Sequence, residues 1–370
     1  MANILLRSPY FVIANNASGL SAKLTVNISG VDRYDIIKNN AIYPNSLFFE
    51  VSELIRDYLN VKNAYNIQEN SLSVKVILTT RWYNGLNASG SVIQTITDDA
   101  FGIDGYGYFE DGTNPNTTRG YMQSNNVIYK LRNADLRIPI DAHNTISAAF
   151  LYKGQTQYTK IVTPLSSQVF EFLANTVNGI DSFKDRVLTD GGKYEDSICI
   201  SDFLDVNELF EVDEVHISTT DGLRIIKVIT IEECKFDPYK ITFVNRWGGL
   251  QDLWFFKKSV ETLSTKRESY NSFSINQISG QYDTLKHQKQ SYNVQSTKSI
   301  TLNTGYVSEE YNAPMQELLE SEQVWMEVNS VISPVNVEDS GFTFKTSVND
   351  RLVDYTLKLS YANNAINNIR

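Results

Sequence analysis

A chain of 370 residues exceeds the roughly 250–300 residues at which single cores stop growing, so two domains are expected. Its hydrophobic content of 42% is globular, and 21 Tyr and 18 Phe bias it toward strands, which predicts a mainly β protein. With 33 Lys plus Arg against 43 Asp plus Glu, the net charge of −10 repels polyphosphate and excludes sequence-independent nucleic-acid binding by the whole surface; it suits a conduit that DNA passes without sticking.

The first residues, "MANILLRSPYFVIANN", carry no basic n-region before a long apolar segment, and no apolar run reaches about 18 residues. Neither a standard export signal nor a membrane span is expected. "SAKLTVNIS" places Ala22, Leu24, Val26 and Ile28 on one face, and "SLSVKVILTTRWY" does the same with Leu72, Val74, Val76 and Leu78. Both show the period of two that marks half-buried strands. Between them "SLFFEVSELIRDYLN" turns from strand to helix at Ser52, whose hydroxyl is expected to cap the helix. Leu54, Ile55, Tyr58 and Leu59 then share a face. A β-sandwich-like domain over 1–155 with a short helix at 52–60 follows.

Phe101 to Gly120 is dense in Gly, Asp, Asn and Pro and reads as a long solvated loop. Its Asp104, Asp111 and Asn114 are oxygen ligands of the kind calcium takes, but their spacing fits no EF-hand or repeat. "NTISAAFLY" is strand-like, and Ser166 to Val187 has a mixed character compatible with helix. The segment 156–209 is read as a connecting region. A second β domain over 210–370 opens with two strand-like runs joined at Thr220-Asp221-Gly222, and Asp237-Pro238 marks another turn.

"ITFVNRWGGLQDLWFFKKS" alternates Ile241 and Phe243 with Thr242 and Val244, permits a turn at Gly248-Gly249, and ends at Lys257-Lys258. A nucleic-acid platform would interleave basic residues with the aromatics, whereas here Arg246 and the lysines flank them. The stretch is expected to be a packed hairpin, with Trp247, Trp254, Phe255 and Phe256 in the domain core. The texture then turns polar, with alternation persisting in "SINQIS" and "KSITLN" and a turn offered by Ser279-Gly280. A two-stranded arm over 264–304 is expected, too poor in apolar residues to stand alone and suited to lying on another subunit. Tyr270, Phe273, Tyr282 and Tyr292 are its candidate subunit-interface residues. A helix over 313–322 follows, with Pro314 in its first turn and Met315, Leu318 and Leu319 as its apolar face. The two runs flanking Val348–Arg351 read as a closing hairpin.

Signatures of chemistry are sparse. Cys199 and Cys234 lie in alternating runs without CxxC spacing and read as two buried thiols. The three histidines, His143, His216 and His287, fall in separate segments, and no G-x-S-x-G elbow, HExxH or phosphate-binding glycine motif occurs. Paired acids such as Asp98-Asp99 and Glu232-Glu233 point to opposite faces of a strand. No catalytic residue, metal or cofactor is assigned, and a non-enzymatic role is expected.

"ECKFDPYKITFVNRWGGLQDLWFFKKS", "KSITLNTGYVSEEYNAPMQELLESEQVWM" and the ending "SVNDRLVDYTLKLSYANNAINNIR" resemble virion tail proteins of tailed phages infecting Bacteroidetes, including the crAss-like group. "LFFEVSELIRDYL" looks like the strand-helix element of the same proteins. The resemblance implies a structural subunit of the tail hub, or of a ring around the tail channel, in the virion and assembled in the host cytoplasm. Its implied partners are further copies of itself in a rotationally symmetric ring and other tail, collar or portal-side proteins, with genomic DNA only passing through. The alternative is a carbohydrate- or receptor-binding module at the tail tip, using Tyr106, Tyr108 and Phe109 as aromatic platforms.

Overall fold

A computed structural model describes residues 2–40, 46–61, 73–131, 136–141, 146–152, 154–162, 169–177, 180–188, 194–199, 212–219, 221–233, 235–272, 275, 278–329, 331–339, 341, 343, 352–363 and 365. The protein is mostly β, 60% strand against 8% helix, which bears out the expected class. The chain divides into two compact units, the first comprising Met1–Glu232, Thr242–Leu253 and Glu310–Ser321, the second Glu233–Ile241, Trp254–Glu309 and Glu322–Arg370.

The first unit begins with β1 (Ala2–Leu5), β2 (Phe11–Asn15), β3 (Ser21–Ile28), β4 (Val31–Asn39), β5 (Ser46–Glu50), α1 (Ser52–Arg56), β6 (Ser73–Tyr83), β7 (Val92–Ile103) and β8 (Asn116–Thr117). One sheet has the order β4-β3-β6-β7-β1-β8, and β2 pairs with β5 in a second. The period of two does its expected work. Ala22, Leu24, Val26 and Ile28 of β3 and Val74, Val76 and Leu78 of β6 form one cluster with Val12, Ala14, Leu47 and Phe49 from the two-stranded sheet. Leu72 lies outside the described residues.

Continuing the β6 alternation brings Trp82 into this cluster, fully inaccessible and opposite Ala22 in the β3–β6 register. Gly19 lies against its indole so closely that a Cβ there would sit 2.2 Å from Trp82 Cε3. Ile55 of α1 closes the cluster, with Tyr58 and Leu59 packed on its margin. Ser52 does not cap α1. The residue preceding the helix is Val51 and no side chain caps it, while the Ser52 hydroxyl turns back to the Glu50 carboxylate. Ser52 is itself the first helical residue, one position past the one from which a side-chain oxygen accepts the helix amides.

Next come β9 (Val127–Leu131), β10 (Leu136–Asp141), β11 (Ile146–Tyr152), β12 (Gln155–Val162), β13 (Val169–Val177), β14 (Ile180–Leu188), β15 (Tyr194–Cys199), β16 (Glu214–Thr219) and β17 (Gly222–Ile231). They build a sheet β10-β13-β14-β15 and a sheet β12-β11-β16-β17-β9. Two expectations are corrected here. The stretch Ser166 to Val187 is not helix where described, because β13 and β14 pair in register from Val169↔Leu188 to Val177↔Ile180. The second unit does not open near residue 210, since β16 pairs with β11 from Ser147↔Ser218 to Leu151↔Glu214 and β17 runs parallel to β9. These pairings join the expected second domain to the first, and the segment read as a connector holds four strands or parts of them.

The chain then forms β18 (Tyr239–Val244), β19 (Leu250–Phe255), β20 (Val260–Asn271), β21 (Lys289–Ser308), α2 (Asn312–Leu319), β22 (Val324–Val328), β23 (Val331–Val337) and β24 (Leu352–Tyr361). Their sheet has the order β19-β18-β22-β23-β24-β21-β20. In the second unit Ile300, Leu302 and Val307 of β21 and Tyr355, Leu357 and Leu359 of β24 supply buried side chains. Phe255 and Phe256 are core residues, and Trp254 is 8% exposed beneath the Lys240 ammonium. Apart from Thr343, the first run of the expected closing hairpin lies outside the described residues, as does Val348–Arg351.

The polar arm is a two-stranded ribbon whose β20 and β21 pair from Val260↔Thr301 to Asn271↔Lys289. All twelve β20 residues are exposed, and β20 is an edge strand. At a rise of about 3.3 Å per residue it is roughly 40 Å long. Beyond it an isolated bridge joins Ile275 to Tyr282, and Gly280 takes φ +64° at the turn.

Candidate functional site

The loop after β7 and the tip of the β18–β19 hairpin meet within the first unit. Asn245 organises that tip: its Oδ1 accepts from the Trp247 and Gly249 amides at 3.0 Å each, and its Nδ2 donates to the Met122 carbonyl at 2.6 Å. Gly248 supplies the left-handed residue, φ +79°. Gly105 allows the loop to approach, for a Cβ there would lie 2.6 Å from the Arg246 carbonyl oxygen, which instead accepts from the Tyr106 amide at 2.9 Å.

This approach produces a ladder of stacked cations and rings. The Arg7 guanidinium lies 4.7 Å from the Tyr106 centroid, and Tyr106 meets Tyr108 edge to face at 5.6 Å. Arg246 sits between Tyr108 at 4.3 Å and Trp247 at 4.8 Å, and Arg119 covers Trp247 at 4.4 Å. Each such contact is worth about 0.5–2 kcal/mol depending on desolvation. Trp247 is therefore a half-buried rung rather than the core residue expected from its hairpin, because the turn lifts it beyond the sheet while Trp254, Phe255 and Phe256 stay on strand or at its end.

Helix α2 anchors the ladder from below. Glu320 Oε2 accepts from the Tyr106 hydroxyl at 2.6 Å and the Tyr108 hydroxyl at 2.8 Å, and Gln316 Nε2 donates to both Tyr108 and Glu320. Burial first, then the Glu320 hydrogen bond, pushes the Tyr108 phenol up to about 12, and burial raises Tyr106 further in the same direction. Both stay neutral donors under ordinary conditions. Arg119 is held below its usual value, first by burial and then by Arg224.

Glu317, one residue beyond Gln316, is buried although it belongs to no apolar stripe. It accepts from the Ser124 hydroxyl and from the Arg246 amide at 3.4 Å, yet burial outweighs both bonds and raises its carboxyl above 4.5. The folded state thus holds this proton to higher pH than the unfolded chain, and its contribution to stability is full below about 4.5 and declines as pH rises through the folded value. Glu317→Gln is expected to flatten that decline while leaving stability at pH 7 unchanged or raised. Urea midpoints at pH 4, 5, 6 and 7 check this, and an unaltered slope would contradict it.

A cleft of about 1010 Å³ opens beside the ladder, lined by Pro9, Phe11, Tyr108, Phe109, Asp111, Arg246 and Trp247 among others. Asn114 fastens its wall to β2, accepting from the Phe11 amide at 3.0 Å and donating to the Phe11 carbonyl at 2.6 Å. No family model, curated protein or solved structure matches this chain.

The loop acids do not converge as calcium ligands would. Asp104 is buried and pairs with Arg56 Nε at 3.0 Å, Asp111 pairs with Arg246, and Asn114 is committed to Phe11. Among the described residues no group of three or more His, Cys, Asp or Glu could hold a metal ion, and no helix is long and apolar enough to cross a membrane. His216 pairs with Glu214 at 3.1 Å on β16, His287 is exposed near the arm's end, and His143 and Cys234 lie outside the described residues.

The arm residues behave differently from one another. Tyr270 and Tyr292 face each other across it at 5.8 Å and 61°, Tyr282 is exposed near its end, and Phe273 lies outside the described residues. Arg7, Arg119, Glu317 and Glu320 were not flagged by the sequence. The only local signal was the pair Gln316-Glu317 and Glu320 on one turn of a short amphipathic helix.

Proposed function

We propose that this chain is a structural subunit of a phage tail, in the tail hub or in a ring around the tail channel, with its neighbours being copies of itself and other tail, collar or portal-side proteins. The observation that carries this reading is the exposed β20–β21 arm. A paired ribbon roughly 40 Å long, with Leu263 and Tyr292 exposed on it and Ile278, Tyr282 and Leu285 exposed at its end, leaves apolar surface for a partner to cover. Its outer strand is also the edge of its sheet, which favours main-chain pairing with another subunit. A ring requires two different complementary surfaces on each subunit, and an arm supplies one of them. The acidic charge supports a channel wall that DNA passes without binding. The sequence resemblance supplies the tail context, and the role needs no catalytic set.

Shortening the arm tests this. Replacing residues 267–294 by a two-residue turn closes the ribbon at the Lys266↔Gln295 pair and leaves the β21–β24 pairing intact. The shortened protein is expected to fold, with an unchanged circular dichroism spectrum, and to remain monomeric, while the full chain forms rings in negative-stain images and light scattering. Equal assembly by both proteins, or none by the full chain at high concentration, would refute the arm's role.

A further inference from the structure

We infer that the cleft beside the ladder is a binding site for a neutral glycan, with the pyranose face stacked on Phe109 and a pair of vicinal hydroxyls held by Arg246 and Asp111. Phe109 is 101% exposed at the cleft wall, so its ring has no protein cover. A large bare ring on a loop otherwise pinned by hydrogen bonds is costly in water and well placed for an apolar ligand face.

The polar side of the cleft selects among ligands. Asp111 Oδ2 is engaged by the Tyr108 amide and by Arg246 Nη2, and the Asp111 side chain remains 43% exposed where it lines the cleft. Arg246 spends Nη2 on Asp111, and its side chain is 18% exposed where it lines the cleft. A carboxylate acceptor and a guanidinium donor thus line the cleft as a pair. A hydrocarbon ligand would take the exposed parts of both groups out of water without bonding them. An anion would be drawn to Arg246 but repelled by the adjacent Asp111 carboxylate. A hydroxyl both donates and accepts, so two neighbouring sugar hydroxyls satisfy both groups.

The site is rigid before any ligand arrives. Arg246 is clamped between the Tyr108 and Trp247 rings, Tyr108 is fixed by Glu320, and Asn114 ties the opposite wall to β2. Such preorganisation lowers the entropy lost on binding. The cleft volume matches a few sugar residues and lies at the upper end of ordinary ligand sites, roughly 300–1,000 Å³.

The test titrates the full chain with soluble neutral oligosaccharides of hexose, N-acetylhexosamine and deoxyhexose type, following intrinsic tryptophan fluorescence and saturation-transfer NMR. At least one class is expected to bind. Phe109→Ala, which removes a fully exposed ring and leaves folding unaffected, is expected to weaken it about tenfold, from a stacking term of ~1.4 kcal/mol. Asp111→Asn is expected to weaken it as well, with Phe109→Ala retaining its circular dichroism spectrum and thermal midpoint. Failure of all three classes to bind, undiminished binding by Phe109→Ala, or saturable binding of a proline-rich peptide in place of sugars would each overturn the inference. The arm-shortened protein should bind the same glycan as the full chain, so this result is independent of assembly.

Discussion

Asp252→Ala is expected to destabilise the protein by about 3–5 kcal/mol, the usual consequence of removing one member of a buried ion pair. Arg137 Nη1 donates to Asp252 Oδ1 at 3.0 Å, and the two side chains are 0% and 7% exposed. Thr242 Oγ1 donates to the same oxygen at 2.6 Å. Without the carboxylate, a guanidinium remains in a dry site and the Thr242 hydroxyl loses its acceptor. The double replacement Arg137→Met with Asp252→Leu is expected to recover most of the loss, because it removes the desolvated charges together. Urea unfolding of the two proteins checks this. A cost below about 1 kcal/mol for Asp252→Ala would mean that water or another partner reaches the site.

Trp82→Ala should have an effect of similar size, about 3–5 kcal/mol, through loss of burial and the cavity left behind. Trp82 is fully inaccessible in the cluster built from β3, β6 and the two-stranded sheet, and is braced by Gly19, whose Cβ position its ring occupies. Gly19→Ala should therefore destabilise too, by about 1–3 kcal/mol, through overpacking. In Trp82→Ala that steric conflict vanishes, so adding Gly19→Ala to it should cost far less than in the parent. Guanidinium midpoints of the four proteins decide the point, and strict additivity would mean that glycine and indole are not coupled.

The β6 run illustrates what sequence makes visible. Val74, Val76 and Leu78 announce a buried face by period alone, and the same period carries on to Trp82. Strand content and the arm were legible for this reason, since both depend on neighbours close in the chain. Pairings such as Ala148↔Ile217 and Lys227↔Val127 join distant segments and leave no local trace, so the unit boundary near residue 210 was misplaced. At Ser166 to Val187 the residue pattern lacked strict alternation, and pairing between β13 and β14 overrode it.

The ladder was legible only in part. Tyr106, Tyr108 and Phe109 stood out as rings in a glycine-rich loop, and Arg246-Trp247 stood out at a turn. Nothing local joins Arg246 to Asp111, 135 positions earlier in the chain. Glu317 was harder still, because a buried carboxylate on a helix looks like any solvated acid until its surroundings are known. Ser52 shows a related limit, for the helix starts at Ser52 itself and so leaves Val51 in the capping position.

The first unit is assembled from Met1–Glu232, Thr242–Leu253 and Glu310–Ser321. During synthesis, then, Tyr106 and Tyr108 leave the ribosome more than two hundred residues ahead of Glu320, the group that fixes their hydroxyls. The nascent first unit must wait with that ladder unanchored, a delay that long-range loop closure makes slow in any case. A fragment ended at Glu232 would contain Tyr106 and Tyr108 but not Arg246, Trp247 or Glu320, so no uninterrupted stretch of chain holds this unit whole without parts of the second.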